Sequence, residues 1–171
     1  KVIQEFDQAN GKLVKETYYR DDEKTIDYIN EFDRNTDELV KTIFYQKDGK
    51  TINYIKEYDK NPYETVKDIY YRADGKTIDY IYEYDENSSN SVKDIYYRND
   101  GKTIHYITEY DQEDTGEPIG EPIKKIYYQV DDQTIKKIKE YDKYINELIK
   151  ETYYKPDGKT IDYIKEYDGE D

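Results

Sequence analysis

A repeat of 26 residues constrains the fold of this chain more than any other feature of its sequence. Residues 31–56 read EFDRNTDELVKTIFYQKDGKTINYIK, and the next 26 read EYDKNPYETVKDIYYRADGKTIDYIY, so the two match position for position. Because a sequence repeat folds as one supersecondary element, we expect a single array of six similar elements. Their bounds are 5–30, 31–56, 57–82, 83–108, 109–139 and 140–165.

The fifth repeat, 109–139, is five residues longer than the others. The insertion falls within 113–122, a stretch that holds two of the four Pro and two of the eight Gly in the chain. Such residues mark turns and loops, so the sequence predicts a surface loop here.

Each repeat has the composition of two β-strands. Residues 40–45 and 51–58 are rich in Val, Ile, Thr, Tyr and Phe, which suit a pleated sheet. Asp48-Gly49 lies between them, and an Asp-Gly pair in that position is a strong hairpin signal. Helix is the weaker interpretation, because β-branched residues and Tyr are poor helix formers. Each repeat is therefore predicted to be one β-hairpin, which gives twelve strands.

Pro156 helps to choose the type of hairpin turn. In a two-residue Asp-Gly turn, position 156 would donate a ladder hydrogen bond, and Pro has no N–H. In a three-residue turn of type I, Pro156 takes the first central position and Gly158 supplies the positive φ. Glu23 and Asp132 take the glycine position in two repeats, where we expect strain of about 1 kcal/mol each.

The three-residue turn sets a register in which Phe44 lies opposite Ile52 and Thr42 opposite Tyr54. One face of each hairpin is then strongly aromatic, and the other mixes Ile with charged residues. Stacked repeats would align equivalent rings in columns, and Lys137 would interrupt one of them in the fifth repeat. That column contains Tyr54, Tyr80, Tyr106 and Tyr163.

The composition argues against a large enclosed core. Leu, Ile, Val and Phe account for only 33 of 171 residues, and the net charge is −14, a combination typical of disorder. The 24 Tyr offset this, because each buries a large ring while its hydroxyl stays hydrated. We therefore predict an all-β fold, an elongated, twisted and largely single-layer antiparallel meander. A sheet curled into a barrel or spiral is the alternative.

Several function classes are disfavoured by the sequence. No apolar run is long enough to span a membrane, and dispersed Lys and Arg in an acidic chain argue against nucleic acid. The chain has no Met and begins inside a repeat, so we expect a processed or trimmed piece of a longer array, from which an upstream signal peptide has been removed.

No residue pattern points to catalysis, a cofactor or a metal. The GKT that follows Asp48 lacks the earlier Gly of a phosphate-binding loop and precedes a strand, so it is interpreted as a turn. His105, the only histidine, falls in a column of solvent-facing polar residues. Glu57 and Asp59 are expected to form solvated acidic rows at a sheet edge rather than a calcium site. We predict that the protein is not an enzyme.

The aromatic face is the candidate binding site, because a contiguous aromatic patch commonly marks an interface. Alternatively, the same rings pack on one another as the core. The candidate residues are Phe44, Tyr54, Tyr58, Tyr80, Tyr84, Tyr106 and Tyr110.

The phrase TYYKPDGKTIDYIKEYD at 152–168 resembles a repeat domain of unknown function that is encoded many times in phytoplasmas, wall-less plant-pathogenic bacteria. The resemblance extends over essentially the whole chain and implies a small secreted or surface protein with a role towards the host. A looser likeness is to the YD repeats of large bacterial toxins, which form spiralling sheets. The function expected is a scaffold that binds a host protein or its own kind, and the alternative is a carbohydrate-binding module.

Overall fold

The computed structural model describes residues 1–59, 64–85, 90–111 and 121–167. They form two compact modules, the first within 1–89 and the second within 90–171. Most of the loop predicted within 113–122 lies outside the described residues.

Every described element is a β-strand of five to seven residues. The first module contains β1 (Val2–Phe6), β2 (Leu13–Tyr19), β3 (Ile26–Phe32), β4 (Leu39–Tyr45), β5 (Ile52–Tyr58), β6 (Thr65–Tyr71) and β7 (Ile78–Tyr84). The second contains β8 (Ser91–Tyr97), β9 (Ile104–Tyr110), β10 (Pro122–Tyr128), β11 (Ile135–Tyr141), β12 (Leu148–Tyr154) and β13 (Ile161–Glu166). The expected number of twelve was wrong, because β1 adds a strand that precedes the first complete repeat.

Each module is a simple antiparallel meander. Strands that are consecutive in sequence pair with each other, from β1 to β7 in the first module and from β8 to β13 in the second. The described residues include no helix and no second sheet, so each meander is a single layer, as predicted, and neither curls into a barrel. None of these elements is a helix with the length and apolar character needed to cross a membrane.

The hairpin turns confirm one prediction and correct another. In the turn of the second repeat, Gly49 has a φ of +65° and its N–H donates to the Gln46 carbonyl at 3.0 Å, as expected of a type I turn with a left-handed Gly. The ladder, however, resumes at Thr51, whose carbonyl accepts from the Gln46 N–H at 2.8 Å. The loop is therefore four residues long rather than three.

A side chain accounts for the extra residue. The Asp48 carboxylate accepts from the N–H groups of Lys50 and Thr51, both at 2.9 Å, and from the Thr51 hydroxyl. These bonds hold Lys50 in the loop, as Asx turns do. The predicted pairing of Phe44 with Ile52 was wrong, because the longer loop shifts the register by one residue and a β-bulge between Phe44 and Tyr45 shifts it by one more. Phe44 lies opposite Tyr54, and this total shift of two residues keeps both rings on the face to which they were assigned.

Four cross-strand rows run along each module, two on each face of the sheet. On one face, the ring face, an aromatic row that we call the ring ladder lies beside a polar middle row. The opposite face, the isoleucine face, carries an isoleucine ladder and a charge ladder. The isoleucine ladder of the first module contains Ile3, Thr17, Ile29, Ile43, Ile55, Ile69 and Ile81. It supplies the buried apolar side chains Ile29 and Ile55, which are 8% and 9% exposed.

The charge ladder alternates in sign from strand to strand. Glu57 lies opposite Lys41 on one side and Lys67 on the other. Lys67 in turn lies 3.6 Å from Glu83 between the charged atoms. The expectation of uniform acidic rows was wrong for Glu57, because each neighbouring strand presents a Lys at that level. Opposite charges in direct cross-strand pairs favour this register.

The hairpin turns of successive repeats pack against one another along one side of the first module. A Cβ atom added to Gly49 would lie 2.6 Å from Thr25 Cγ2 and 2.7 Å from the Ile26 backbone nitrogen. Gly75 has the same relation to Thr51 and Ile52. Close backbone approach, together with a positive φ, therefore requires glycine at these positions.

Turns at the opposite side connect one repeat to the next and are built differently. In 33–38 the N–H of Asp37 donates to the Asp33 carbonyl at 3.0 Å, and Asp37 itself has a φ of +65°. The Asp33 carboxylate accepts from the N–H groups of Asn35 and Thr36. The other described turns of this kind, 7–12 and 142–147, have the same hydrogen bonds, with Gly11 and Asn146 at positive φ.

Candidate binding face

The ring ladder is a row of aromatic side chains contributed by successive strands. Long side chains stand roughly perpendicular to a sheet, so residues directly opposite each other bring their rings together. In the first module the ladder contains Tyr18, Tyr28, Phe44, Tyr54, Tyr70 and Tyr80. In the second it contains Tyr96, Tyr106, Tyr127, Tyr153 and Tyr163, with Lys137 between the third and fourth rings.

Rings within one hairpin stack closely. The centroids of Phe44 and Tyr54 are 4.3 Å apart with the planes at 11°, and those of Tyr70 and Tyr80 are 4.5 Å apart at 24°. Contacts between neighbouring hairpins are longer, 5.1 Å from Tyr54 to Tyr70. Stacked aromatic pairs contribute about 0.5–1.5 kcal/mol each beyond the area that they bury. The ladder therefore stabilises each hairpin and joins it to the next.

Lys137 interrupts the ladder where the sequence predicted. It lies opposite both Tyr127 and Tyr153, and its ammonium is 4.9 Å and 5.5 Å from the centroids of those rings. The same ammonium is 3.5 Å from a carboxylate oxygen of Glu151. Cation–π contacts thus continue the row without a sixth ring.

Partial exposure of the rings defines the chemistry of this face. None of the ladder rings is buried, although rings within a hairpin stack closely, as Phe44 and Tyr54 do at 4.3 Å. Burial, with the Asp68 carboxylate nearby, raises the pKa of Tyr70 to about 12, so its hydroxyl remains protonated at neutral pH. The ring face consequently presents ring edges and hydroxyl groups to solvent.

The middle row carries buried polar groups that the sequence analysis missed. Asp68 and Asp94 are only 4% and 5% exposed, and burial raises the pKa of both carboxyl groups. Tyr84 donates its hydroxyl to Asp68 at 3.2 Å, and Tyr110 donates to Asp94 at 2.5 Å. A carboxylate in each module is therefore covered by a Tyr that itself belongs to the candidate site.

Glu151 lies in the middle row of the second module, but more hydrogen-bond donors surround its carboxylate. Burial opposes its ionisation, but hydrogen bonds from the Tyr167 hydroxyl, the Lys139 ammonium and the Tyr153 hydroxyl hold the pKa of Glu151 at about 2. The Tyr167 bond is 2.8 Å long, and the Lys139 pair is 3.2 Å. More donors reach this carboxylate than reach Asp68.

Four of the candidate residues lie in the ring ladder, which contains more rings than the sequence analysis assigned to that row. Phe44, Tyr54 and Tyr80 belong to the ladder of the first module, and Tyr106 to that of the second. Rings such as Tyr70 were missed as ladder members because the assumed register paired first-strand rings with Ile. A Tyr or Phe at the sixth position of every first strand, two positions before the turn residue Gln46 in the second repeat, was the available signal.

Two other features that the sequence singled out, the GKT motif and His105, lie where they were predicted. The GKT after Asp48 is a hairpin turn followed by β5, as predicted. His105 is exposed, as expected, and its ring makes an edge contact with Tyr106 at a centroid distance of 5.3 Å. In the part of the chain that the structure describes, no three His, Asp or Glu side chains are grouped to hold a metal ion.

These features define a class of protein, a tandem β-hairpin repeat whose sheet has one aromatic face, with a row of polar side chains beside the rings. The chain belongs to the family described as "Protein of unknown function (DUF2963)". That family matches five overlapping stretches that together extend over the whole sequence, at 1–44, 45–96, 83–119, 97–153 and 128–171. No curated protein matches the sequence.

Three solved structures are similar to parts of this chain. TarM matches at 11% identity over 78% of this chain and 20% of that chain, with a TM-score of 0.37. A mutant of TarM from S. aureus, in complex with Fondaparinux, alpha-GlcNAc-glycerol and UDP, matches at 12% identity over 78% and 21%, with a TM-score of 0.32. A protein with unknown function from Bacteroides fragilis matches at 13% identity over 98% and 92%, with a TM-score of 0.17. The chain spans about a fifth of the length of TarM.

Proposed function

We propose that this protein is a non-enzymatic scaffold that binds another protein through the ring face of its sheet. The partner is a host protein or another molecule of the same kind. The scaffold is secreted from, or displayed on, a phytoplasma cell, as the resemblance of residues 152–168 implies. The observation that carries the proposal is the row of stacked, half-exposed rings, six of which lie in the first module.

A protein partner fits this surface for two reasons. Tyr is enriched in protein interfaces because it combines contact area with a hydrogen-bonding tip at low entropic cost. The rings are also fixed by stacking and by the rigid strand pairing beneath them, so little side-chain freedom is lost on binding. A flat row of edges and hydroxyls matches a broad protein surface better than a small ligand.

The geometry gives less support to carbohydrate binding. Sugar rings stack on the exposed flat face of an aromatic ring, whereas Phe44 and Tyr54 stack on each other at 4.3 Å. Their flat faces are thus already in use. Catalysis has no support among the described residues either, since His105 contacts an aromatic ring and no carboxylate orients it.

The proposal is tested by removing hydroxyls from one face at a time. A triple variant of the ring face, Tyr28→Phe, Tyr54→Phe and Tyr80→Phe, keeps the rings and their stacking. The matched control changes Tyr19, Tyr45 and Tyr71 to Phe, and these lie at the strand ends next to the hairpin turns. Partners are captured from plant-host extract on the intact chain and identified, and their affinity for each purified variant is measured by surface plasmon resonance.

We expect the ring-face variant to bind its partner at least about tenfold more weakly, which corresponds to about 1.4 kcal/mol. The control variant should keep the affinity of the original chain. Equal affinities for all three proteins would contradict the proposal, as would binding that soluble glycans abolish. Thermal melting of each variant shows whether the fold is intact.

A further inference from the structure

A groove of about 450 Å³ lies in the second module, on the side where its hairpin turns are. Its walls include Arg98, His105, Lys136 and Lys137, and none of the ten residues that line it is acidic. The chain as a whole carries 41 acidic and 27 basic residues. Lys137 is paired with Glu151 at 3.5 Å. The groove nevertheless has three permanently positive lining residues and no acidic one, so it differs in sign from the protein around it.

Comparison with other repeats shows how the positive groove arises. In the first module, Arg20 pairs with Asp27 at 3.2 Å and Arg72 pairs with Asp79 at 2.8 Å. The repeat position of these two Asp residues is occupied by His105 in the fourth repeat and by Lys136 in the fifth. Two substitutions in the repeat pattern have thus replaced a negative charge near the arginine position with an imidazole and an ammonium.

The positive groups are held in place by the surrounding structure. Arg98 Nη2 donates to the carbonyls of Tyr128 at 2.7 Å and Gln129 at 3.1 Å, so its guanidinium reaches across to the next hairpin turn. Lys137 is held over the Tyr127 ring at 4.9 Å. Sites with fixed cationic donors bind an anion at a low cost in conformational entropy.

The charged groups that act on His105 are Arg98, at the start of the preceding turn, and Lys136, on strand β11, which is separated from β9 by β10. Burial and these two cations lower the pKa of His105 below its usual value. An anion bound between them would favour the imidazolium form and reverse that effect.

We propose that this groove binds an oxyanion, a phosphate or sulfate group carried on a small organic molecule such as a sugar. Arg98, Lys136 and protonated His105 supply the charge and the N–H donors that such groups prefer. The rings of Tyr127 and Tyr154 line the same groove and contact the organic part. Its volume is within the range of small-molecule sites. The groove shares Tyr127 and Lys137 with the ring ladder of the second module. The ring-face variant that tests the proposed function changes only residues of the first module, so the two proposals are tested separately.

The single histidine provides a direct measurement. The pKa of His105 is determined by proton NMR of its imidazole in chloride, inorganic phosphate, sulfate and glucose 6-phosphate, all at one ionic strength. Glucose 6-phosphate should raise the pKa by about 0.5–1 in a saturable manner, and inorganic phosphate should do the same at higher concentration. The same pKa in chloride and in glucose 6-phosphate would overturn the proposal. Equal binding of glucose 6-phosphate and inorganic phosphate would overturn the contact with the organic part.

Two variants keep the test specific to the groove. Lys136→Asp introduces the residue type that the fold already accepts at Asp27 and Asp79, and it should weaken phosphate binding at least about tenfold. A double variant, Asp27→His with His105→Asn, moves the imidazole to the same repeat position in the first module. There the following repeat has the neutral Asn53 in place of Lys136. An anion-dependent shift of equal size at the relocated imidazole would show general surface electrostatics and overturn the assignment to the groove.

Discussion

The hairpin turns and the connecting turns each hold one residue at a positive φ, yet they constrain the sequence very differently. Gly49, in a hairpin turn, has a φ of +65°, and Gly11, in a connecting turn, has a φ of +73°. A Cβ atom on Gly49 would meet the preceding hairpin turn at 2.6 Å, whereas one on Gly11 would have no neighbour within 4 Å. A positive φ alone tolerates Asp37 or Asn146, but at Gly49 the positive φ is combined with packing that leaves no room for a Cβ atom.

The largest test of this difference is Gly49→Ala. The added methyl group would collide with Thr25 and with the backbone of Ile26, so the two turns must move apart. We expect a loss of about 3 kcal/mol in the free energy of unfolding, from overpacking added to the left-handed conformation. Urea denaturation followed by circular dichroism measures it.

Gly11→Ala is the matched change at a connecting turn. Open space around Gly11 leaves only the conformational penalty, so the loss should be about 1 kcal/mol. If the two substitutions destabilise equally, turn packing has no energetic weight and the contrast between the two sides of the sheet fails.

Thr51→Val isolates the side-chain bond that distinguishes a hairpin turn. The Thr51 hydroxyl donates to the Asp48 carboxylate, and Val keeps the shape while removing the donor. A loss of about 0.5–1 kcal/mol is expected from one such bond. Thr36→Val, in the connecting turn 33–38, should cost less, because the Thr36 hydroxyl accepts a longer bond of 3.3 Å from Glu38 N–H. Similar losses at both sites would remove this distinction.

Acid should weaken the hairpin turns. The Thr51 hydroxyl, with the N–H groups of Thr51 and Lys50, lowers the pKa of Asp48 to about 2, and Asp74 has the same arrangement. A depressed pKa in the folded state means that the stabilisation is fully present above the unfolded value near 3.8 and is lost as the pH falls towards 2. Unfolding free energies measured from pH 6 to pH 2 should therefore decline below about pH 4. Asp48→Asn should make that decline less steep, and an unchanged slope would contradict the assignment.

The features predicted correctly from the sequence are those that depend on a single residue type or on the alternation of residue types along one strand. The hairpins, the left-handed Gly49 and the positive φ of Glu23 and Asp132 all follow from local residue types, and the structure has them. The register was missed because the Asp48 side chain adds a residue to the loop and a β-bulge at Tyr45 adds another, effects that residue preferences for turns do not include. The face assignment survived because the slip was of two residues.

On the ring face, too, some features followed from the sequence and others depended on contacts between strands. Alternation placed Phe44 and Tyr54 together, but their direct stacking depends on the register and could not be predicted without it. The buried carboxylates of Asp68 and Asp94 were not predicted, because their burial comes from Tyr side chains of neighbouring strands. Ring stacking and carboxylate burial both depend on contacts between strands, which the residue types within one strand do not reveal.

Successive hairpins carry nearly the same side chains in each cross-strand row, and this affects how the strands find their partners during folding. Strand β4 carries Lys, Ile and an aromatic ring at the levels where β6 carries Lys67, Ile69 and Tyr70, so β3 would find matching partners in either strand. Specificity must then come from loop closure, since the entropic cost of joining strand ends grows with the length of the intervening chain. Pairing with the adjacent strand is faster and costs less entropy than pairing that skips a hairpin. The short turns therefore determine which strands pair, because the side-chain rows are nearly the same in every repeat.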